Sequence, residues 1–154
     1  MPNEPILPDF DSAGSWVKKF FHASRSLMES ALRPVGLGNT QWYVLYRLVH
    51  QGPIGQRDLV LELEVERATL SAVIGALVRK GLIEQKPDPR DQRQKVLAIT
   101  EAGRELWETL PDPVALLREI AFDGVDPDDL ATAKRILIEA TQRLTNYKKE
   151  SSTS

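Results

Sequence analysis

The chain has 154 residues, a formal net charge of −2 at pH 7 and no cysteine. This length fits one domain, or one domain with a dimerising extension, and the missing thiols exclude thiol catalysis, disulfide bonds and thiolate metal sites. No apolar run has membrane-spanning length, and the first residues lack the basic and apolar regions of a signal peptide, so we expect a cytoplasmic protein without a membrane partner.

The first helix is predicted from Ser12 to about Arg33, after an extended arm at residues 1–11 that holds three prolines. Asp11 or Ser12 is placed to cap this helix. Its apolar residues occur in adjacent pairs, which makes the apolar stripe too broad for one contact surface: Trp16/Val17, Phe20/Phe21, Leu27/Met28 and Ala31/Leu32. We expect the helix to pack against its own domain on one side and against a second chain on the other.

Three helices are predicted in the middle of the chain, after a turn at residues 34–39. The first begins at Asn39 or Thr40 and runs through His50, and the second covers Gln56–Leu63. The third runs from Glu66 to about Lys80, because its apolar residues fall at i, i+3, i+4 and i+7: Leu70, Val73, Ile74 and Leu77. Two short helices joined by one tripeptide, the second of them amphipathic, are typical of a helix-turn-helix.

A β-hairpin is predicted after the third of these helices. Gly81 ends the helix, with basic residues in its last turn. Leu82–Lys86 and Gln94–Thr100 then carry aliphatic residues at strand-like spacing, and the polar residues 87–93 join them. This order of elements predicts a recognition helix followed by a wing.

The last third of the chain is predicted to be helical. Thr100 caps a helix that begins at Glu101, and two prolines interrupt it before residues 114–122. The sequence Asp-Pro-Asp-Asp at residues 126–129 is a strong start signal for a final helix that runs to about Tyr147.

The predicted fold class is mainly α with a small antiparallel β-hairpin wing. It is a winged helix-turn-helix with flanking dimerisation helices. The predicted organisation assigns residues 39–100 to the winged lobe, residues 12–38 and 101–147 to dimerisation, and residues 148–154 to a polar tail.

The hairpin also carries a motif that resembles that of a known family. Asp88-x-Arg90-Asp91-x-Arg93, followed by Leu97-x-Ile99-Thr100-x-x-Gly103, is similar to the wing signature of the MarR family of bacterial transcription regulators. Residues 53–81 are similar to that family's helix-turn-helix. The resemblance implies a homodimer that binds a pseudo-palindromic operator in double-stranded DNA, represses transcription, and leaves the DNA when a small aromatic or phenolic ligand binds.

The wing and the recognition helix supply the candidate DNA-binding residues. An arginine at a wing tip can enter the narrow minor groove, and Asp91 can hold the Arg93 guanidinium through a charge-assisted pair; the resemblance implies these same roles. The alternative to this DNA-binding role is that the wing loop is an ordinary solvated turn in which acidic and basic residues merely alternate. Arg90 and Lys95 are predicted to contact phosphates, although either could be an ordinary surface charge. The candidates on the recognition helix lie away from its apolar face: Arg67, Ala68, Thr69, Ser71, Ala72 and Arg79.

The recognition helix and the turn before it depart from the family pattern. Ala72 and Ala76 occupy positions that often carry arginine or lysine in the family. Glu62 and Glu64 place acid beside the expected DNA surface, and Glu64 replaces a usual glycine. Affinity should therefore depend on the wing and on the arginines at the two ends of the helix.

The charge distribution agrees with this placement. Residues 66–100 contain seven Lys or Arg against four Asp or Glu, whereas residues 101–140 contain four against ten. Local charge, rather than the total, governs attraction to phosphates.

A ligand pocket is a second candidate site. In the family, small anionic aromatic effectors bind in the cleft between the DNA-binding lobes and the dimer base, and five aromatic residues lie on helices that would border it: Trp16, Phe20, Trp42, Tyr46 and Trp107. Aromatic residues at helical spacing are more often part of a core, which is the interpretation that we favour. His22 and His50 lie on different predicted helices, without a carboxylate at metal-ligand spacing, so we expect no metal site and no cofactor.

Two other classes of protein are weighed against a regulator. An enzyme is not predicted, because the chain has no glycine-rich phosphate loop, no nucleophile elbow and no His/carboxylate pair that the sequence places together. A winged-helix module for protein–protein contacts, with weak or no DNA binding, remains the alternative because the recognition helix is rich in alanine. The sequence predicts a sequence-specific DNA-binding transcription regulator, and salt-dependent binding of duplex DNA separates it from the alternative.

Overall fold

The computed structural model describes residues 11–153, so nearly all of the predicted arm lies outside the described residues. Tertiary contacts divide the chain into two compact units, with the boundary between Leu117 and Arg118. The first unit contains the sheet and the hydrophobic core. The elements follow in chain order: α1 (Ala13–Leu32), a 3₁₀ turn (Arg33–Val35), α2 (Asn39–Gln51), β1 (Ile54–Gly55), α3 (Gln56–Leu63), α4 (Arg67–Arg79), β2 (Ile83–Pro87), β3 (Lys95–Ile99), α5 (Glu101–Thr109), α6 (Pro113–Phe122) and α7 (Pro127–Ser152).

The predicted helices all form, and the bounds of α1 to α6 differ from prediction by one residue or less. The predicted caps of α1 and α5 are confirmed. Ser12 Oγ accepts a hydrogen bond from the backbone N–H of Ser15 at 3.1 Å, and Thr100 Oγ1 accepts one from Gly103 at 3.0 Å. Each cap satisfies a backbone donor that has no partner within its helix.

The sheet has three antiparallel strands in the order β1-β3-β2. The predicted hairpin is confirmed, since β2 and β3 pair with Gln85 opposite Leu97. The sequence patterns do not predict β1, which pairs along the other edge of β3 with Ile54 opposite Leu97. A strand of two residues is too short to show a periodicity. It nevertheless ties the start of α3 directly to the wing.

The core of the first unit lies where α2 and α4 pack against the sheet. The predicted apolar face of α4 is the face that is buried: Leu70, Ile74 and Leu77 are at most 2% exposed, and Val73 packs beside them. The remaining buried apolar side chains come mainly from α1, α2 and the strands: Met28, Leu32, Leu37, Trp42, Val44, Leu45, Leu48, Ile54, Leu59, Leu82, Ile83 and Leu97. Burial of these side chains removes apolar surface from water, which is the main force that holds the lobe together.

The second unit consists of the end of α6 and the long helix α7. The Asp126 carboxylate caps α7 by accepting a hydrogen bond from Asp128 N–H at 2.8 Å, as predicted. The predicted end at Tyr147 is wrong, because the helix continues to Ser152 and takes in most of the predicted polar tail. No glycine follows Pro127 in α7, and lysines near its carboxyl end stabilise the negative end of the helix dipole. None of the helices within residues 11–153 is both long and apolar enough to cross a membrane.

Glu64 has φ 53° and ψ 40°, the left-handed conformation, in the turn between α3 and α4. It is the one non-glycine residue with positive φ among the residues that the structure describes. We expect Glu64→Gly to raise the free energy of unfolding by about 1 kcal/mol, because glycine lacks the Cβ that makes this conformation costly. Urea denaturation measures the change. Glu64→Ala removes the same charge but keeps the Cβ, so an equal rise in that variant would contradict the explanation.

Candidate nucleic-acid interface

A groove of about 340 Å³ lies between the helix-turn-helix and the wing. We call it the basic groove, and its lining residues come from α3, α4, β2, β3 and the end of the wing loop: Gln56, Arg57, Val60, Arg67, Ser71, Gln85, Arg93, Gln94 and Lys95. Four of these side chains are cationic, and none is acidic. A concave surface lined by cations and neutral polar groups attracts a polyanion such as a phosphate backbone.

Helix α4 places its polar face in the groove because its apolar face is buried in the core. Arg67 is the first residue of α4, and Ser71 follows one turn later on the same face. Both side chains are exposed, as are those of Ala68, Thr69 and Ala72. Four of the candidates that the sequence predicts on α4 are exposed without lining the groove: Ala68, Thr69, Ala72 and Arg79.

The carboxyl end of α4 carries the last of the predicted recognition-helix candidates. Arg79 is exposed there and its guanidinium lies back over Gly75, with Nη1 3.3 Å from the position that a Cβ would occupy. A glycine in the middle of a helix costs stability, and here it leaves room for this arginine on the helix surface.

The wing loop holds Arg93 through contacts with Asp91. One oxygen of the Asp91 carboxylate accepts hydrogen bonds from the backbone N–H of Arg93 at 3.1 Å and from its Nε at 3.2 Å. The Arg93 side chain is 91% exposed, so the pair is solvated on its outer side. The predicted pairing therefore forms, and the charge it presents points away from the protein. Arg90 is exposed in the same loop, where its N–H donates to Asp88 at 2.8 Å.

Five lining residues are absent from the sequence-based candidates: Gln56, Arg57, Val60, Gln85 and Gln94. Gln56 and Arg57 belong to the first turn of α3, which β1 attaches to the sheet beside the wing. Their polarity directly after a turn is the only sequence signal they carry. The sequence-based assignment of the interface to α4 and the wing alone leaves out this third element.

The aromatic candidates lie in two places. The rings of Trp42, Tyr46 and Trp107 are packed together, with centroid distances of 5.2 Å, 5.4 Å and 6.0 Å. Trp42 is 1% exposed, and its indole N–H is buried without a hydrogen-bond partner among the described residues. Trp16 and Phe20 lie on α1 and are about half exposed. Trp42 is thus part of the core, while Tyr46 and Trp107 lie at its surface.

His50 and Tyr43 border this aromatic cluster. The His50 ring lies 4.3 Å from that of Tyr46. Burial raises the pKa of the Tyr43 hydroxyl, which donates a hydrogen bond to the Met28 sulfur at 3.5 Å. Within residues 11–153, no three His, Cys, Asp or Glu side chains are placed to hold a metal ion.

A helix-turn-helix packed on a three-stranded sheet, with a basic groove between its second helix and a hairpin wing, defines a winged helix-turn-helix protein. The model of the MarR family matches residues 35–94, which cover α2 to the wing loop. The chain is 33% identical over 102 residues to the transcriptional activatory protein BadR of Rhodopseudomonas palustris. That match covers 62% of this chain and 58% of BadR.

Two solved structures share the fold over most of the chain, each with a TM-score of 0.77. One is BpsR of Bordetella bronchiseptica, in a study of how 6-hydroxynicotinic acid regulates its DNA binding; it is 21% identical, and the match covers 88% of this chain and 96% of BpsR. The other is a mutant of MarR from E. coli in complex with operator DNA; it is 22% identical, and the match covers 89% of this chain and 99% of that one. Over α2 to the wing loop the chain is similar to the MarR family of transcription regulators, and these solved structures share its fold.

Proposed function

We propose that the protein binds operator DNA through the basic groove and regulates transcription. The observation that carries the proposal is the composition of the groove, whose lining includes Arg57, Arg67, Arg93 and Lys95 and no acid. The exposed surface of α4 continues from this groove. Helices of this kind enter the major groove, while wing arginines reach the neighbouring minor groove.

Selection of bound duplexes from random DNA tests this function. We expect an enriched pseudo-palindrome, and an affinity for it that falls linearly with salt concentration on a logarithmic scale. A scrambled duplex of the same composition is the control, since it retains the phosphates but not the sequence. Binding that is absent, or indifferent to salt, would favour the alternative function, a winged helix that contacts only proteins.

We propose that the operator is bound by a homodimer in which a second copy covers the apolar faces of α1 and α7. On α1, Trp16 and Phe21 are 55% and 56% exposed; on α7, Leu144 and Tyr147 are 74% and 73% exposed. Apolar side chains exposed in rows of this kind are characteristic of interfaces, and a pseudo-palindrome requires two-fold symmetry. Sedimentation equilibrium at micromolar concentration should give twice the chain mass of 17.3 kDa. A monomer under these conditions would remove the dimer from the mechanism.

The ligand that we propose is a small anionic aromatic molecule, and the direction of regulation that we propose is repression. The candidate ligand residues are Trp16, Phe20, Trp42, Tyr46 and Trp107. The study of BpsR gives one suitable probe, 6-hydroxynicotinic acid. A reporter placed behind the selected operator should be silent with the protein and active when the ligand is added. Transcription that rises when the protein binds would instead indicate an activator, the role that the name of BadR gives to that protein.

Ala72→Arg discriminates between the DNA-binding function and the protein-contact alternative. Ala72 is exposed on α4, where an arginine could reach a phosphate or a guanine edge. We expect either a higher affinity for all duplexes with a salt slope steeper by about one unit, or a changed half-site that contains guanine. Ala131→Arg adds the same charge at an exposed position of α7 and should do neither. If Ala72→Arg leaves affinity, salt slope and preference unchanged in a folded protein, α4 is not the reading helix.

A further inference from the structure

A chain of three hydrogen-bonded side chains crosses the basic groove. Gln85 Nε2 donates to Gln56 Oε1 at 2.7 Å, and Gln56 Nε2 donates to Ser71 Oγ at 3.4 Å. The three residues belong to β2, α3 and α4, so the chain connects the wing to the recognition helix through the first residue of α3. We call it the Gln85–Gln56–Ser71 chain.

The Gln85–Gln56–Ser71 chain has a direction, because the oxygen of a carboxamide accepts hydrogen bonds and its amino group donates them. The Gln85 amide occupies the Gln56 oxygen, which turns the Gln56 amino group toward Ser71. The Ser71 hydroxyl oxygen accepts that bond, so its own hydrogen is not directed at Gln56. Among the described residues no hydrogen bond uses this hydrogen, and Ser71 is exposed in the groove.

The surroundings of Ser71 allow a close approach to DNA. A serine hydroxyl is short, so it reaches a base edge only where the helix backbone comes near the bases. Ala68 and Ala72, which are exposed on the same helix, carry no long side chain that would hold α4 away. Ala72, which occupies a position that often carries arginine or lysine in the family, therefore leaves the short Ser71 hydroxyl access to the DNA.

We propose that Gln56 is a positioning residue that fixes Ser71 as a hydrogen-bond donor, and that Ser71 reads the N7 atom of a purine in each half-site. The inference rests on the proposed DNA-binding function and assigns a residue class to its sequence preference. Purine N7 is an acceptor on the major-groove edge of both adenine and guanine. A phosphate oxygen is an acceptor of the same kind, and the experiment below distinguishes the two.

The experiment uses the selected duplex and copies in which one purine at a time is replaced by its 7-deaza analogue, which lacks the N7 acceptor. We expect the wild type to lose about threefold to tenfold in affinity at one purine of each half-site, the effect of one neutral hydrogen bond. Ser71→Ala should lose a similar factor on the unmodified duplex and then show no further loss at that purine. A contact with phosphate would give no such position, and would overturn the assignment to N7.

Gln56→Glu tests the positioning role, and a matched control accounts for the negative charge that the variant introduces. A carboxylate only accepts, so the Ser71 hydroxyl would donate to it and present lone pairs to the DNA. We expect the variant to lose the discrimination against the 7-deaza duplex. Gln94→Glu is the matched control, because it places the same charge in the same groove but lies outside the Gln85–Gln56–Ser71 chain. It should weaken binding to all duplexes and keep the discrimination.

The outcomes separate the inference from the function on which it rests. A wild type that selects a duplex, together with a Gln56→Glu variant that retains discrimination, overturns the positioning role alone. A wild type that selects no duplex overturns the proposed function as well. Thermal unfolding of each variant, which should match that of the wild type, confirms that affinity is compared between folded proteins.

Discussion

Gly103→Ala is expected to lower the free energy of unfolding by about 3 kcal/mol, the upper part of the range for overpacking a tight site. Gly103 is buried in the first turn of α5. A Cβ at this position would meet the carbonyl oxygen of Leu82 and lie 2.7 Å from Ile99 Cγ1. Real side chains do not approach so closely, so the backbone of the wing would have to move.

Such a movement is opposed by hydrogen bonds that fix the base of the wing to α5. Thr100 Oγ1 donates to the carbonyl of Gly81 at 2.6 Å, and Thr100 N–H donates to the carbonyl of Leu82 at 3.1 Å. The same hydroxyl caps α5. Displacing α5 to make room for a methyl group would therefore break the cap, the hydrogen bonds from Thr100 to Gly81 and Leu82, or both.

Urea denaturation compares this variant with Gly14→Ala, the matched control. Gly14 also lies in the first turn of a helix, but a Cβ there meets nothing within 4 Å. Alanine has the higher helix propensity, so the control should be neutral or slightly more stable. Equal stabilities for the two variants would show that the wing base adjusts to the added methyl group.

The recognition helix shows why much of the fold can be predicted from the sequence. The spacing of Leu70, Ile74 and Leu77 specifies which face of α4 is buried, and that burial leaves Arg67 and Ser71 on the outer face. The local contact between Asp91 and Arg93 is likewise predictable, because only one residue separates the two along the chain. Signals that arise within one helix or one turn are therefore available from the sequence.

Features that depend on pairing between distant parts of the chain cannot be predicted from such local sequence signals. β1 is two residues long and is defined by its partner β3, so no local pattern marks it. The contact between Gln85 and Gln56 joins residues 29 positions apart, and its effect on Ser71 depends on the three-dimensional arrangement of three elements. The end of α7 differs for another reason: lysine and serine residues after Tyr147 are compatible with helix or with coil, and the absence of a breaker favours the helix.

Arg93→Ala is expected to weaken binding to the selected duplex by roughly tenfold to a hundredfold, as for an arginine inserted into a groove. Arg93 extends from the wing with its side chain 91% exposed, and Asp91 restrains the guanidinium at 3.2 Å, which lowers the conformational freedom lost on binding.

Arg143→Ala is the control for this change. Arg143 is also an exposed arginine, but it lies on α7, which the proposed mechanism assigns to dimerisation. A surface charge away from the DNA interface contributes little to DNA affinity, so this variant should bind the duplex nearly as well as the wild type does. Fluorescence anisotropy with labelled duplex, at equal salt concentration, measures both affinities. The ratio of the two is the decisive quantity, since each variant removes one positive charge and changes the long-range attraction to DNA similarly. A ratio near one would mean that the wing does not enter a groove, and DNA binding would then have to be carried by α3 and α4 alone.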